Sequence, residues 1–309
     1  MTEDEGQRLG RLVPNLKYRA RIYQAVRNFF LEQGFLEVET PVRSPAVAPE
    51  KEIIPVQSEG WFLITSPELY MKRLLAANYD KIYQFSRCFR KDEHGRYHNP
   101  EFTLLEWYRK GANYEQMMTD TEQLVTYISA RFGRGSKLPY LNNTIDLTLP
   151  WEKISVSEAF KKFAGWDPVV NPDPHRFDDD MVLKLIPNLN PDRPTFLLDY
   201  PAPMASLARL KPGNPQIAER VEAFIGGLEL ANGYSELVNQ KEQYSRFRKE
   251  IEQIQKEQGR TAPMPDKFLR VVPNLPECAG IALGMDRLVM LFCNAASIDD
   301  VIPFTVDDA

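Results

Sequence analysis

The stretch Phe89–Tyr108, FRKDEHGRYHNPEFTLLEWY, decides how this chain is read. Upstream of it, Ile82 to Arg90 alternates Gln84, Ser86, Cys88 and Arg90 with the bulkier Tyr83, Phe85 and Phe89. A period of two predicts a strand. On the far side of the charged loop, Phe102, Leu104, Glu106 and Tyr108 share one strand face, so the stretch is expected to form a β-hairpin. A carboxylate at Glu106, between aromatic and aliphatic neighbours, is costly to bury without a cationic partner. That points to a pocket for an amine beside a flat aromatic ring. The hairpin alone leaves another reading open, in which Glu106 sits at the solvated rim of an ordinary hairpin.

Working outward, FFLEQGFLEVETP (Phe29–Pro41) reads as a helix, a turn and a strand, and GIALGMDRLVML (Gly280–Leu291) as a strand entering a helix with Arg287 near its start. Between them lies EAFIGGLELANGYSEL, Glu222–Leu237. In this order the segments resemble motifs 1, 2 and 3 of the class II aminoacyl-tRNA synthetases, specifically the lysyl branch. Motif 2 is the hairpin itself, and the Glu222–Leu237 stretch is similar to the strand that carries the lysine and metal sites of that branch. The resemblance runs from about Leu16 to the C-terminal end. It implies an α+β catalytic domain, an antiparallel sheet flanked by helices, and a two-fold homodimer through the motif 1 region.

The length fits one large catalytic domain with an insertion, or two small domains. The 309 residues carry 38 Lys and Arg against 43 Asp and Glu, a net charge of −5 that offers no general attraction to nucleic acid. No apolar run reaches the roughly 20 residues of a membrane span. The start, MTEDEGQRLG, lacks the basic-then-apolar layout of a secretory signal. The three cysteines, Cys88, Cys278 and Cys293, are too scattered for a disulfide framework. They are expected to pack as small apolar residues in a reducing cytoplasm.

Residues 1–13 are expected to be a flexible start, with the catalytic domain over 14–309. Leu16–Gln33 reads as an amphipathic helix, Trp61–Thr65 as a strand, Pro67–Ala77 and Tyr114–Phe132 as helices, and Thr195–Tyr200 as a strand. Residues 133–150 suggest a loop and a strand pair, with Asn142-Asn143 as a turn. Trp151–Ile186 has helical character broken by the loop NPDPHRFDDD, which suggests a small helical insertion over about 151–190. Gln216–Ala223 fits either a short helix or an extended segment. Gln240–Gly259 has a thin apolar stripe, Phe247, Ile251 and Ile254, among charges of both signs, the pattern of a solvated surface helix.

The resemblance implies ATP and Mg²⁺ as cofactors and assigns roles. Arg90 falls on the position that meets the α-phosphate and the substrate carboxylate, and Arg287 on the γ-phosphate end. Arginine suits both, since its fork binds phosphate oxygens and stays charged. His98 and Phe102 match the residues that hold adenine, with Asp92, Glu93 and Gly284 completing the ATP set. Glu222 and Glu229 match the metal ligands. Ser66, Glu68, Glu106, Tyr108, Asn232, Glu236 and Ala282 match the amino-acid pocket, Glu68 for the amine near the carboxylate, Glu106 and Glu236 for the distant ammonium. Crowded carboxylates repel one another unless a dication joins them, so an empty pocket is expected to be strained or partly protonated. Asn232-Gly233 can also be read as a hairpin turn. His94 and His98 have the spacing of a zinc pair, but Gly95 stands where the glutamate belongs, and the glycines around Gly280 and Gly284 lack a following Gly-Lys-Ser/Thr.

Several details depart from the synthetases. A motif 1 helix from about residue 16 leaves no room for an anticodon-binding domain. SPE at Ser66–Glu68, GRYHNPEF in the hairpin loop and Ala282 all resemble the short paralogue that joins (R)-β-lysine to a lysine side chain of elongation factor P. Asp92 stands where both relatives carry glutamate. The expected activity is therefore an AMP-forming, ATP-dependent lysine–protein ligase acting on that factor, without tRNA anticodon or membrane binding. A lysyl-tRNA synthetase-like enzyme charging tRNA or another small acceptor, and an inactive paralogue that senses an amino acid, are the alternatives.

Overall fold

The computed structural model describes residues 4–308. Helix α1 (Glu5–Glu32) buries Ile22, Ala25, Val26, Phe29 and Phe30, which recur at helical spacing. It begins at Glu5 rather than Leu16, so residues 5–13 are helical and tied down, while residues 1–3 lie outside the described part. Leu12 is buried, Arg8 donates to the Pro303 carbonyl at 2.9 Å, and Asn15 donates to the Asp300 carbonyl at 2.9 Å. Pro14 is accommodated inside the helix. The bonds of Arg8 and Asn15 to the 298–308 segment work against the roughly 3 kcal/mol that an interior proline costs.

Short strands β1 (Leu36–Glu37), β2 (Arg43–Ser44), β3 (Gln57–Ser58) and β4 (Trp61–Leu63) lead into helix α2 (Glu68–Ala76). The hairpin is as read: β5 (Lys81–Phe89) pairs antiparallel with β6 (Glu101–Lys110). Helix α3 (Tyr114–Arg131), capped by the Asn113 side chain, and the ribbon β7 (Lys137–Tyr140) with β8 (Asn143–Asp146) follow.

The 151–190 region opens as a strand, β9 (Glu152–Ser155), and turns helical only from α4 (Val156–Phe163). The stretch expected as a proline and aspartate loop is largely helix α5 (Pro174–Asp180), with Asp173 as N-cap and Pro174 in the first turn. Phe160, Phe177, Leu185 and Tyr200 form the local core there. Next come β10 (Thr195–Pro201), β11 (Leu210–Lys211), β12 (Asn214–Ile225) and β13 (Leu228–Ser235), then helices α6 (Gln240–Gln258) and α7 (Asp266–Leu269), and finally β14 (Cys278–Gly284) running into α8 (Met285–Cys293).

The main sheet runs β1-β5-β6-β14-β13-β12-β10-β9, with β11 beside β12. Its pairings are antiparallel except at the two edges, β1 with β5 and β9 with β10. One face packs on α1, α3 and α8 through Phe30, Trp107, Leu124 and Leu288. The opposite face carries the polar residues described next.

Candidate active site

Strand register places the candidate residues in rows. Gln84 on β5 pairs with Glu106 on β6, Glu106 with Ala282 on β14, Ala282 with Asn232 on β13, and Asn232 with Glu222 on β12. Five strands thus line up one side chain each along a single row of one face. The neighbouring row runs Ile82, Tyr108, Gly280, Tyr234, Arg220. Asn232-Gly233 is therefore mid-strand; the hairpin between β12 and β13 turns at Gly226-Gly227, both at positive φ (58° and 79°), as a type I′ turn requires. An irregularity between Ala223 and Phe224 resets the pairing by one residue and sets Glu229 opposite Phe224. Glu229 thereby comes close enough for its charge to act on Glu222.

At one end of the row the carboxylates crowd. Ser66 donates its hydroxyl to Glu106 Oε1 at 2.6 Å, Tyr108 donates to Glu106 Oε2 at 3.1 Å, and the Glu68 backbone N–H donates to Ser66 Oγ at 3.0 Å. Burial, with Glu68 adding to it, pushes Glu106 up to about 8. Glu236 is raised too, by burial, with Lys72 opposing and Glu68 reinforcing. The expected strain among these groups is thus present. It is relieved by a residue that sequence reading did not assign: Lys72, on α2, forms ion pairs with both Glu68 and Glu236. The clue lay in the Glu68–Lys72 spacing, since residues four apart share a helix face.

The arginines sit beyond the ends of β5 and β14. Arg90 stacks on the Phe102 ring, 5.1 Å from its centroid, and lies 3.5 Å from Glu93, while its Nε is buried without a partner. Arg287, in the first turn of α8 after the N-cap Gly284, donates to the Glu229 carbonyl at 2.7 Å and to His98 Nε2 at 2.7 Å. Burial and then Arg287 hold His98 below its ordinary value, so its ring accepts this bond as neutral imidazole. Glu222 is buried and takes Arg220 at 2.7 Å; burial raises it, Arg220 opposes, and Glu229 adds to the rise. Asn232 Oδ1 is buried and unpartnered. Arg90 Nε and Asn232 Oδ1 are groups that a bound ligand would satisfy.

Two further residues belong to this neighbourhood. Arg220, which lies over the Tyr200 ring at 4.5 Å, is two residues from Glu222 on the same strand face. Glu50 is raised to about 7 by burial and by Glu68, with Arg90 and Arg220 opposing. The loop preceding β3 brings Glu50 in, and no local pattern announces it. Asp92 is exposed and adopts φ 66°. Aspartate enters that left-handed region more readily than most residues, a physical reason for finding it at this turn. Burial pushes Cys88 up to about 12, and Cys278 is raised by the same cause, so both pack as inert thiols.

A family model described as tRNA synthetases class II (D, K and N) matches residues 8–308. Over 328 residues the chain is 36% identical to a protein of Proteus mirabilis (strain HI4320) named elongation factor P–(R)-β-lysine ligase, covering 95% of each. Proteins of the same name from Salmonella arizonae and Klebsiella pneumoniae (strain 342) are 36% and 35% identical over 330 residues, covering 96% of each chain.

Proposed function

The chain belongs to the family of class II tRNA synthetases (D, K and N), and from that membership we propose that it is an AMP-forming ligase that activates (R)-β-lysine, or lysine, and transfers it to a lysine side chain of elongation factor P. The relatives bearing that ligase name support the acceptor and the substrate. The observation in the structure that supports the reading is the cluster of half-buried Glu68 and buried Glu106 and Glu236 beside Tyr108, a set of carboxylates suited to ammonium groups.

In the first step an oxygen of the substrate carboxylate attacks the α-phosphorus of ATP and pyrophosphate leaves. Negative charge gathers on the phosphates, so fixed cations aimed at them supply most of the acceleration. Arg90 would meet the α-phosphate and the substrate carboxylate, and Arg287 the γ-phosphate end. His98 and Phe102 would hold adenine, with Asp92, Glu93 and Gly284 around the nucleotide. Ser66, Asn232 and Ala282 would complete the walls of the amino-acid pocket. Glu222 and Glu229 suit Mg²⁺, which prefers one or two carboxylates together with substrate phosphates; bound there, it would neutralise phosphate charge. In the second step a deprotonated lysine amine of the acceptor attacks the adenylate carbonyl carbon, AMP leaves, and an amide remains.

A cytoplasmic homodimer is the state in which we expect this to occur. Among the described residues no helix is long and apolar enough to cross a membrane. The experiment is direct: with ATP, β-lysine and elongation factor P, one lysyl mass should appear on a single lysine of that factor. Transfer to bulk tRNA, with the protein unmodified, would assign the enzyme to tRNA charging instead.

A further inference from the structure

The amine end of the pocket contains a cation of its own. Lys72 is 1% exposed, as is Glu236, and its ammonium touches Glu68 on the same helix and Glu236 at the end of β13. Among the described residues Lys72 is the one partner found for the Glu236 carboxylate. Facing the same space are Glu106 and Tyr108 from β6 and Cys278 from β14. Glu50 lies beyond Glu68, opposed there by Arg90 and Arg220. Burial works against the charge on Lys72, but Glu236 and Glu68 more than compensate and raise it above its ordinary value.

With all its carboxylates ionised, as a bound cation favours, this end holds three of them, Glu68, Glu106 and Glu236, against one ammonium. The remainder is two negative charges, which a substrate with two ammonium groups balances and one with a single ammonium does not. Buried charge left unbalanced is strongly unfavourable. We propose that Lys72 is a positioning and specificity-determining residue, which aims Glu68 and Glu236 through its two ion pairs and sets the pocket to accept a diamino acid over an amino acid with one amine. This inference rests on the substrate reading above and adds to it the residue that fixes the charge requirement.

Without Lys72 the three carboxylates face one another unopposed, and like charges in one site raise each other's pKa. They would therefore ionise only at higher pH, and diamino-acid binding would need more alkaline conditions. The test is ATP–pyrophosphate exchange as a function of pH, with lysine, (R)-β-lysine and norleucine, in wild type, Lys72→Met and Lys72→Met/Glu236→Gln. The double variant removes one charge of each sign and restores the remainder of two, so it also serves should the single variant fail to fold.

In Lys72→Met the acid limb of kcat/KM for the diamino acid should move up by about one pH unit, a tenfold loss on that limb. The loss should fall on KM for the amino acid, with KM for ATP unchanged, and the limb of the double variant should return towards wild type. A limb that stays in place in Lys72→Met, or one equally displaced in the double variant, would overturn the role of Lys72. An equal rise in KM for ATP would do so too, because it marks a purely structural residue. Exchange in wild type with norleucine but with neither diamino acid would overturn the substrate reading, and this inference with it.

Discussion

Glu106 makes the stability of the ligand-free protein depend on pH in an uncommon direction. Burial raises it from 4.5 to about 8. The unfolded chain releases that proton near 4.5, while the folded pocket keeps it until about pH 8. Between those values the native state holds more protons, so stability falls as pH rises. The Tm of the ligand-free protein should decline through this window and decline less in Glu106→Gln; parallel Tm profiles for the two proteins would contradict the assignment. Arg287→Ala and Glu229→Gln should each slow adenylate formation by roughly 10²-fold with the fold intact, the usual scale for a lost charge-stabilising group. Near-normal pyrophosphate exchange in either variant would refute their place in the mechanism. Ala282 shares its row with Glu106 and Asn232, so Ala282→Gly should change the ratio of α- to β-lysine by the equivalent of about 1–3 kcal/mol; an unchanged ratio would remove it as a determinant. At this scale Glu106 and Tyr108 were legible because strand alternation exposes a carboxylate in an apolar setting. Lys72 and Glu50 were not, because a charged side chain in a mixed sequence reads as solvated until the tertiary fold turns it inward.

Strand pairing governs how Tyr108 reaches its place. Gly280 on β14 lies directly opposite it, and a Cβ there would come within 2.1 Å of the tyrosine ring. The missing side chain is what allows the ring to lie across the neighbouring strand and its hydroxyl to meet Glu106. Gly280→Ala should therefore cost about 1–3 kcal/mol of stability through overpacking, and raise KM for the amino acid more than KM for ATP. A destabilised variant with both constants unchanged would show that the ring position does not matter for binding. The hairpin β5–β6 and helix α3 could be read from the sequence, since each pattern repeats several times over its length. Strand β12 could not, because Gln216–Ala223 satisfies helical and extended patterns alike, and only pairing with β10 and β13 selects between them. Helix α5 was hidden for the converse reason: its proline and aspartates, turn-formers in most settings, serve here as first-turn residue and cap.

For the molecule as a whole, the expected homodimer is supported by apolar side chains left on the surface near the motif 1 segment. Leu31, Leu36, Val42 and Trp61 are 74%, 52%, 46% and 48% exposed. Sedimentation equilibrium should give twice the 35.6 kDa of one chain, and Leu31→Asp with Trp61→Asp should shift it towards monomer; a monomeric wild type at micromolar concentration would refute the dimer. The start of α1 escaped sequence reading because its partners are remote: Arg8 bonds to Pro303, 295 residues away, and Arg19 to Asp286 at 2.7 Å. That span has a consequence in time. At a synthesis rate of about 5–20 residues per second, roughly 15–60 s separate the two halves of this clasp as they leave the ribosome. During that interval the apolar stripe of α1 comes to have Tyr83 and Trp107 to meet, but not yet α8 or the 298–308 segment. The helix made early must wait, partly uncovered, for the segment made late. The clasp between α1 and the 298–308 segment can therefore close only after residue 303 has been made, long after α1 itself.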